Sequence, residues 1–273
     1  MTWSLMLERV STYDVRSAAA RQRTETDWLS SAHSFSFGHA YDPANTHFGL
    51  LLVNNEDVVA AGTGFETHPH RDMEIVTWVI SGSLVHQDSS GNHGLIYPGL
   101  AQRMSAGTGI LHSERNDTWR SSDLPNSNPN PEPNPQPRPD PVQPPVHFIQ
   151  MWVTPDEPGL VPGYEQRDVA EQLACGGLVP VASGLPRHRQ DAAIRIHQRD
   201  AGLSIARLID GGAALLPSAP YLHLFVAHGR IDVEGAGVLS AGDAARITHA
   251  DGERITAIGA AEVLVWEMHA ALS

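Results

Sequence analysis

The 273-residue chain is 41% hydrophobic and 18% charged, with a formal net charge of −13, so it has material for one large domain or two of ordinary size. The acidity, with no cluster of Lys and Arg, excludes a face that binds nucleic acid by displacing counterions, and no apolar run approaches the roughly 20 residues a membrane helix requires. Cys175 is the only cysteine, which excludes an internal disulfide and a thiolate metal cage and, with no basic-then-apolar start at Met1–Leu5, points to the cytoplasm.

In chain order the first expected element is a helix over Val15–Arg23. Phe48–Val53 reads as a strand closed by a turn at Asn54-Asn55. His68-Pro69-His70 follows. On a strand, residues two apart share a face and lie about 6.6 Å apart, a separation from which two imidazoles converge on one ion through bonds of about 2.1 Å. Glu74–Ile80 and Ser83–Asp88 are further strand candidates separated by Ser81-Gly82, and Leu95–Tyr97 is another before the Pro98-Gly99 turn. His112-Ser113-Glu114 repeats the two-residue spacing behind the glycines of Ala106-Gly107-Thr108-Gly109. Taken singly, each pair also suits a solvated strand. Together they make a set of three neutral nitrogens and one anion that leaves positions open on a five- or six-coordinate metal.

From Leu124 to Pro145 the chain reads LPNSNPNPEPNPQPRPDPVQPP and holds about half of the 20 prolines. Proline at alternate positions removes backbone donors, so the stretch is expected to be an extended insertion outside any sheet. Val146–Val153 resumes the barrel pattern, and a helix is expected over Arg167–Leu173. The second half carries strand patterns at 203–209, 221–227, 230–233, 245–248, 255–258 and 262–267, with glycines at 229, 235, 237 and 242 between them. The economical reading is all-β, two barrels in tandem: residues 1–160 with the metal ligands and the insertion 124–145, and residues 161–273 without metal. His223 and His228, five apart, face opposite sides of a strand and suggest a core or surface role.

Several strings carry a resemblance. Gly62-x5-His68-Pro-His70-x3-Glu74-x7-Gly82 resembles the first cupin motif, and Gly99 with Ser105-Ala106-Gly107 and His112-x3-Asn116 resembles the second. HSFSFGHAYDPAN (33–45), HPHRDMEIVTWVISGSLVHQDSSGN (68–92) and MSAGTGILHSERN (104–116) are similar to the pirins, and the likeness continues through 149–167 to 196–203. It implies a bicupin of two jelly-roll β-barrels with few short helices. It implies one metal, Fe(II) in most of the family, held in the N-terminal barrel by His68, His70, His112 and Glu114. Glu74 stands where many other cupins place their metal carboxylate and shares a face with His70 by parity, so it is a rival or supporting partner.

The resemblance further implies cleavage of a flavonol such as quercetin by 2,3-dioxygenation with O2, Glu114 taking the hydroxyl proton. An iron-dependent regulatory module that binds a protein partner without turnover is the alternative. A sugar isomerase ranks last, because only Arg71, Arg103 and Arg115 lie near the site to hold a phosphate. A monomer is expected.

Overall fold

The computed structural model describes residues 10–117 and 143–272; most of the proline-rich stretch lies outside them. The first half contributes β1 (Thr12–Arg16), β2 (Gln22–Glu25), β3 (Leu29–His33), β4 (Leu51–Val59), β5 (Gly64–His70), β6 (Glu74–Ser81), β7 (Leu84–Asp88), β8 (His93–Ile96), β9 (Leu100–Ser105), β10 (Ile110–Arg115), β11 (Val146–Val153) and β12 (Gly163–Asp168). The second contributes β13 (Val179–Ser183), β14 (Ile194–Arg195), β15 (Ala201–Leu208), β16 (Ala213–Leu215), β17 (Ala219–His228), β18 (Arg230–Val233), β19 (Gly237–Ser240), β20 (Ala244–Ala250), β21 (Arg254–Ala257) and β22 (Ala261–Met268). One four-residue helix, α1 (Ala170–Leu173), interrupts them.

The strands form two jelly-roll units of the same plan, a seven-stranded sheet facing a four-stranded one. The first unit has orders β12-β9-β6-β11-β4-β3-β2 and β5-β10-β7-β8; the second has β1-β20-β17-β22-β15-β13-β14 and β16-β21-β18-β19. The sheets face each other without closing into continuous barrels. The division at 160/161 is crossed twice. β1 pairs with β20 of the second unit, and β12, which lies beyond residue 160, pairs with β9 of the first, so each unit is edged by a strand from across that division.

Two expected helices give way to strands. Val15–Arg23 divides into the end of β1, a 3-10 turn at Ala18–Ala20 and the start of β2. Local alanine preference yields there to the free edge of β20 and to the Ala18 N–H, which donates to Asp243 Oδ1 at 2.7 Å. Arg167 and Asp168 finish β12, and only Ala170–Leu173 is helical. The Asn54-Asn55 turn is absent too: both asparagines are buried inside β4, which runs on to Val59.

The two large sheets pack back to back. Because strand side chains alternate between faces, β11 sends Phe148 and Gln150 into the first unit and Ile149 and Met151 into the seam. There they meet Trp78, Phe225, Leu264 and Trp266, all buried. Trp78 Nε1 donates to Glu262 Oε1 across the seam at 2.7 Å. Full burial of such side chains stabilises by about 1.5–3 kcal/mol each, so the units are fastened as one body.

The interior of the first unit is layered. Along β6, β9 and β11 the inward positions run apolar, polar, apolar: Val79, Thr77, Ile75; Leu100, Gln102, Met104; Phe148, Gln150, Trp152. In the polar layer His33, Asn55, Gln150, Thr77 and Gln102 are successive cross-strand partners, all buried. This belt faces the four-stranded sheet that carries the metal-ligand candidates.

Candidate metal centre

His68 and His70 project from one face of β5, and His112 is the direct cross-strand partner of His68 on β10. The three rings lie with centroids 4.5–4.9 Å apart. Gly64, opposite Arg115 just beyond the register shift between His112 and Glu114, lets the backbones of β5 and β10 approach closely, since a Cβ there would lie 2.3 Å from the Glu114 carbonyl oxygen. His68 Nδ1 donates to the Glu66 carbonyl at 2.7 Å, leaving its Nε2 lone pair free. That Nε2 lies 3.1 Å from His112 Nε2, close to the 3.0 Å or so that separates two ligands bound at about 2.1 Å and a right angle. His70 Nε2 is buried with no hydrogen-bond partner, and its ring stands edge-on to Trp152 at 4.8 Å.

Burial pushes the His112 imidazole down to about 3, with His68 and His86 adding to the effect. Burial likewise takes His70 down to about 4, helped by His112 and His68. Both are neutral at physiological pH, the form that binds metal. A set of free imidazole nitrogens, one of them orphaned, fits a divalent transition metal.

Glu114 is placed differently. It lies opposite His86 on β7, and its carboxylate accepts from Gln150 Nε2 at 2.7 Å and from Thr77 Oγ1 at 3.4 Å. Ligand atoms of His68, His70 and His112 lie within 4.8 Å of one another, and so do those of a second group, His86, His112 and Glu114. His112 belongs to both. The sequence reading passed over His86, although His86-x-Asp88 has the spacing that marked the other pairs. His86 Nε2 donates to Asp88 Oδ2 at 3.3 Å and its Nδ1 lies 3.5 Å from His112 Nδ1. That chain turns His112 Nε2 toward His68 and His70. Tyr164 stacks on His86 at 4.8 Å and closes that side.

Glu74 does not join either group. The turn at Arg71–Met73 breaks the parity that placed it with His70, and its carboxylate accepts instead from the His197 backbone N–H at 3.0 Å, tying β6 to the second unit. Arg71, Arg103 and Arg115 are held by Asp72, Glu165 and Asp117 respectively.

A cavity of about 700 Å³ opens from His68, His70 and Glu114, within the roughly 300–1,000 Å³ typical of small-molecule sites. Trp28, Phe37, Phe65 and Trp152 form aromatic walls. Asp57 lines the far side; its Oδ1 has no hydrogen-bond partner. Burial raises its carboxyl to about 7, opposed by Ser31 and reinforced by Glu114. No helix among the described residues is long and apolar enough to cross a membrane.

Known proteins resemble this chain over nearly its whole length. Residues 15–153 match the family model described as Pirin, and residues 181–268 match the one described as Quercetinase C-terminal cupin domain. A Mycobacterium tuberculosis protein named "Putative quercetin 2,3-dioxygenase" is 53% identical over 262 residues, 96% of this chain and 97% of the relative. Quercetin 2,3-dioxygenase of Escherichia coli K12 is 43% identical over 153 residues, 56% of each chain. Among solved structures, Escherichia coli YhhW superposes with a TM-score of 0.79 at 33% identity, covering 96% of this chain and all of that one. The nickel(II) complex of the same bacterial pirin superposes at 0.78, with 33% identity over 95% of this chain and 100% of that one.

Proposed function

The chain belongs to the pirin family, and from that premise we propose that it is a metal-dependent dioxygenase that cleaves a flavonol such as quercetin with O2. The observation that carries the reading is the convergence of His68, His70 and His112 beside a 700 Å³ aromatic-walled cavity lined by His68, His70 and Glu114. His68, His70, His112 and Glu114 would hold one divalent transition metal, and Fe(II) is the ion proposed. Bound there, the ion supplies Lewis acidity toward an ionised hydroxyl and a redox-active centre for O2.

The chain's own residues do the rest. Trp28, Phe65 and Trp152 offer flat apolar faces to a planar aromatic ring system and keep water from it. Glu114, fixed by Gln150 and Thr77, accepts the proton of the flavonol 3-hydroxyl as general base.

The test is anaerobic loading with Fe(II), elemental analysis and oxygen uptake with quercetin, with Glu114→Gln alongside. One metal per chain with quercetin-dependent oxygen uptake is expected. One metal per chain without uptake of oxygen overturns the quercetin reading and leaves another substrate or a regulatory binding module. Glu114→Gln at full metal content and full rate removes the general-base role.

A further inference from the structure

Buried polar atoms without partners concentrate away from the metal centre. A cavity of about 130 Å³ sits on the seam between the N-terminal segment and the second unit, lined by Arg16, Arg21, Ser34, Asn45, His223 and Arg246 among others. His223 is completely buried, and neither ring nitrogen has a hydrogen-bond partner. Nε of Arg21 and Nε of Arg246 are buried and unpartnered as well. These four are among only nine such side-chain atoms in the described residues.

The arrangement is built. His223 and Arg246 are direct cross-strand partners on β17 and β20, both on the seam face. Arg246 lies over Phe35 at 4.6 Å and Arg21 over Phe225 at 5.0 Å, so the rings fix the guanidinium planes. Arg246 Nη2 donates to the Ser34 carbonyl and to Asn45 Oδ1, which aims the guanidinium.

Charge decides what fits. Arg21 is paired with Glu56. Asp14, the cross-strand neighbour of Arg246, is engaged by Arg16 at 2.7 Å. Asp42, also lining the cavity, accepts from the Ala44 N–H at 2.9 Å. Among the described residues Arg246 has no carboxylate within ion-pair distance, so its guanidinium has no direct counter-ion. Burial lowers Arg246 to about 10, and burial with the Arg246 charge lowers His223 to about 3. A buried guanidinium without a counter-ion is costly, and an anion that also takes the free N–H groups removes the cost.

We propose that this seam cavity binds one small oxyanion, a carboxylate or a phosphate, between Arg16 and Arg21 of the N-terminal segment and His223 and Arg246 of the second unit. The site is independent of the flavonol reading. His33 lines both this cavity and the metal cavity, so an anion held here also buttresses a wall of the substrate space.

The experiment is calorimetric titration of the metal-loaded protein with sodium acetate and, separately, with inorganic phosphate, in chloride buffer at constant ionic strength. Saturable one-to-one binding of at least one anion is expected, and which one binds assigns the source. Arg246→Met should weaken it about tenfold or more, the scale of a lost charge-assisted hydrogen bond. Arg16→Gln, at the exposed rim, should keep the fold and weaken it several-fold. No saturable heat from either anion in the wild type overturns the proposal. Wild-type affinity in Arg16→Gln and in a folded Arg246→Met does so as well.

Discussion

The two units share a plan, seven strands against four, yet their interiors are opposites. The inward positions of the second unit on β15, β17, β18, β20 and β22 are Ala206 and Leu208, Leu222, Leu224 and Val226, Ile231 and Val233, Ala245 and Ile247, Val263 and Val265. That core is aliphatic throughout. In the first unit the middle layer of the same kind of sheet is His33, Asn55, Gln150, Thr77 and Gln102, facing three imidazoles and a cavity. A jelly roll is indifferent to what fills it, provided each layer is satisfied. One copy here is filled with methyl groups and serves stability. The other gives up that filling, ties Gln150, Thr77 and His33 of its belt by hydrogen bonds and holds open a site. The back-to-back seam lets the filled unit support the hollow one.

The largest expected effect comes from breaking the hollow side. His70→Ala should take metal content from one per chain to near zero and oxygen uptake below detection, with the fold retained. Full metal content in His70→Ala would move the ion to His86, His112 and Glu114, the second group within reach. The mirror experiment is Leu224→Ala in the filled unit, expected to cost about 2–5 kcal/mol in denaturant unfolding while metal content stays at one. If metal is lost as readily as stability, the two units do not divide the labour as their cores imply.

A third test uses pH. In the metal-free protein the Asp57 carboxyl sits at about 7, against about 3.9 for an unfolded aspartate. Between those values the folded state holds the extra proton, so stability falls as pH rises from about 4 to about 7 and stays low above. Asp57→Asn removes that slope. It should match the wild type near pH 4 and exceed it at pH 8 by up to about 4 kcal/mol. Parallel stability curves for the two proteins would mean that Asp57 ionises freely and that the polar belt is not dry.

The same contrast explains what could be read from the sequence. Apolar strands such as β6 and β11 were legible because their side chains fill a core or the seam. The His-x-His and His-x-Glu pairs were legible because a strand repeats every two residues. Asn54-Asn55 looked like a turn because polar residues usually leave a strand; in this belt Asn55 and Asp57 point inward. Glu74 was placed beside His70 by counting through Arg71–Met73, where the strand is interrupted. His86 had the right spacing to Asp88 and follows the Ser81-Gly82 turn, but it falls between the two cupin motifs. Val15–Arg23 has helical composition, but its start pairs with the open edge of β20, more than two hundred residues away, and its end with β3. His223 and Arg246 meet through the pairing of β17 with β20, which no local pattern records.

The smallest effect gives the sharpest view of the belt. Gln150 Nε2 holds Glu114 Oε2 at 2.7 Å, and Gln150 is itself oriented by Trp152 Nε1, which donates to its Oε1 at 3.0 Å. Glu114 therefore has one carboxylate oxygen fixed by the seven-stranded sheet while its backbone belongs to the four-stranded one. Gln150→Ala cuts that link and leaves only the long Thr77 contact of 3.4 Å. The carboxylate is then free to swing toward His86, its cross-strand neighbour. Metal affinity should fall about 10–100-fold, the usual effect of losing a residue that orients a ligand. Stoichiometry at saturating metal should remain one, because the three imidazoles are untouched. Competition with a chelator measures the difference. Unchanged affinity would mean that Glu114 is no ligand, and that the belt shapes the cavity without tuning the metal.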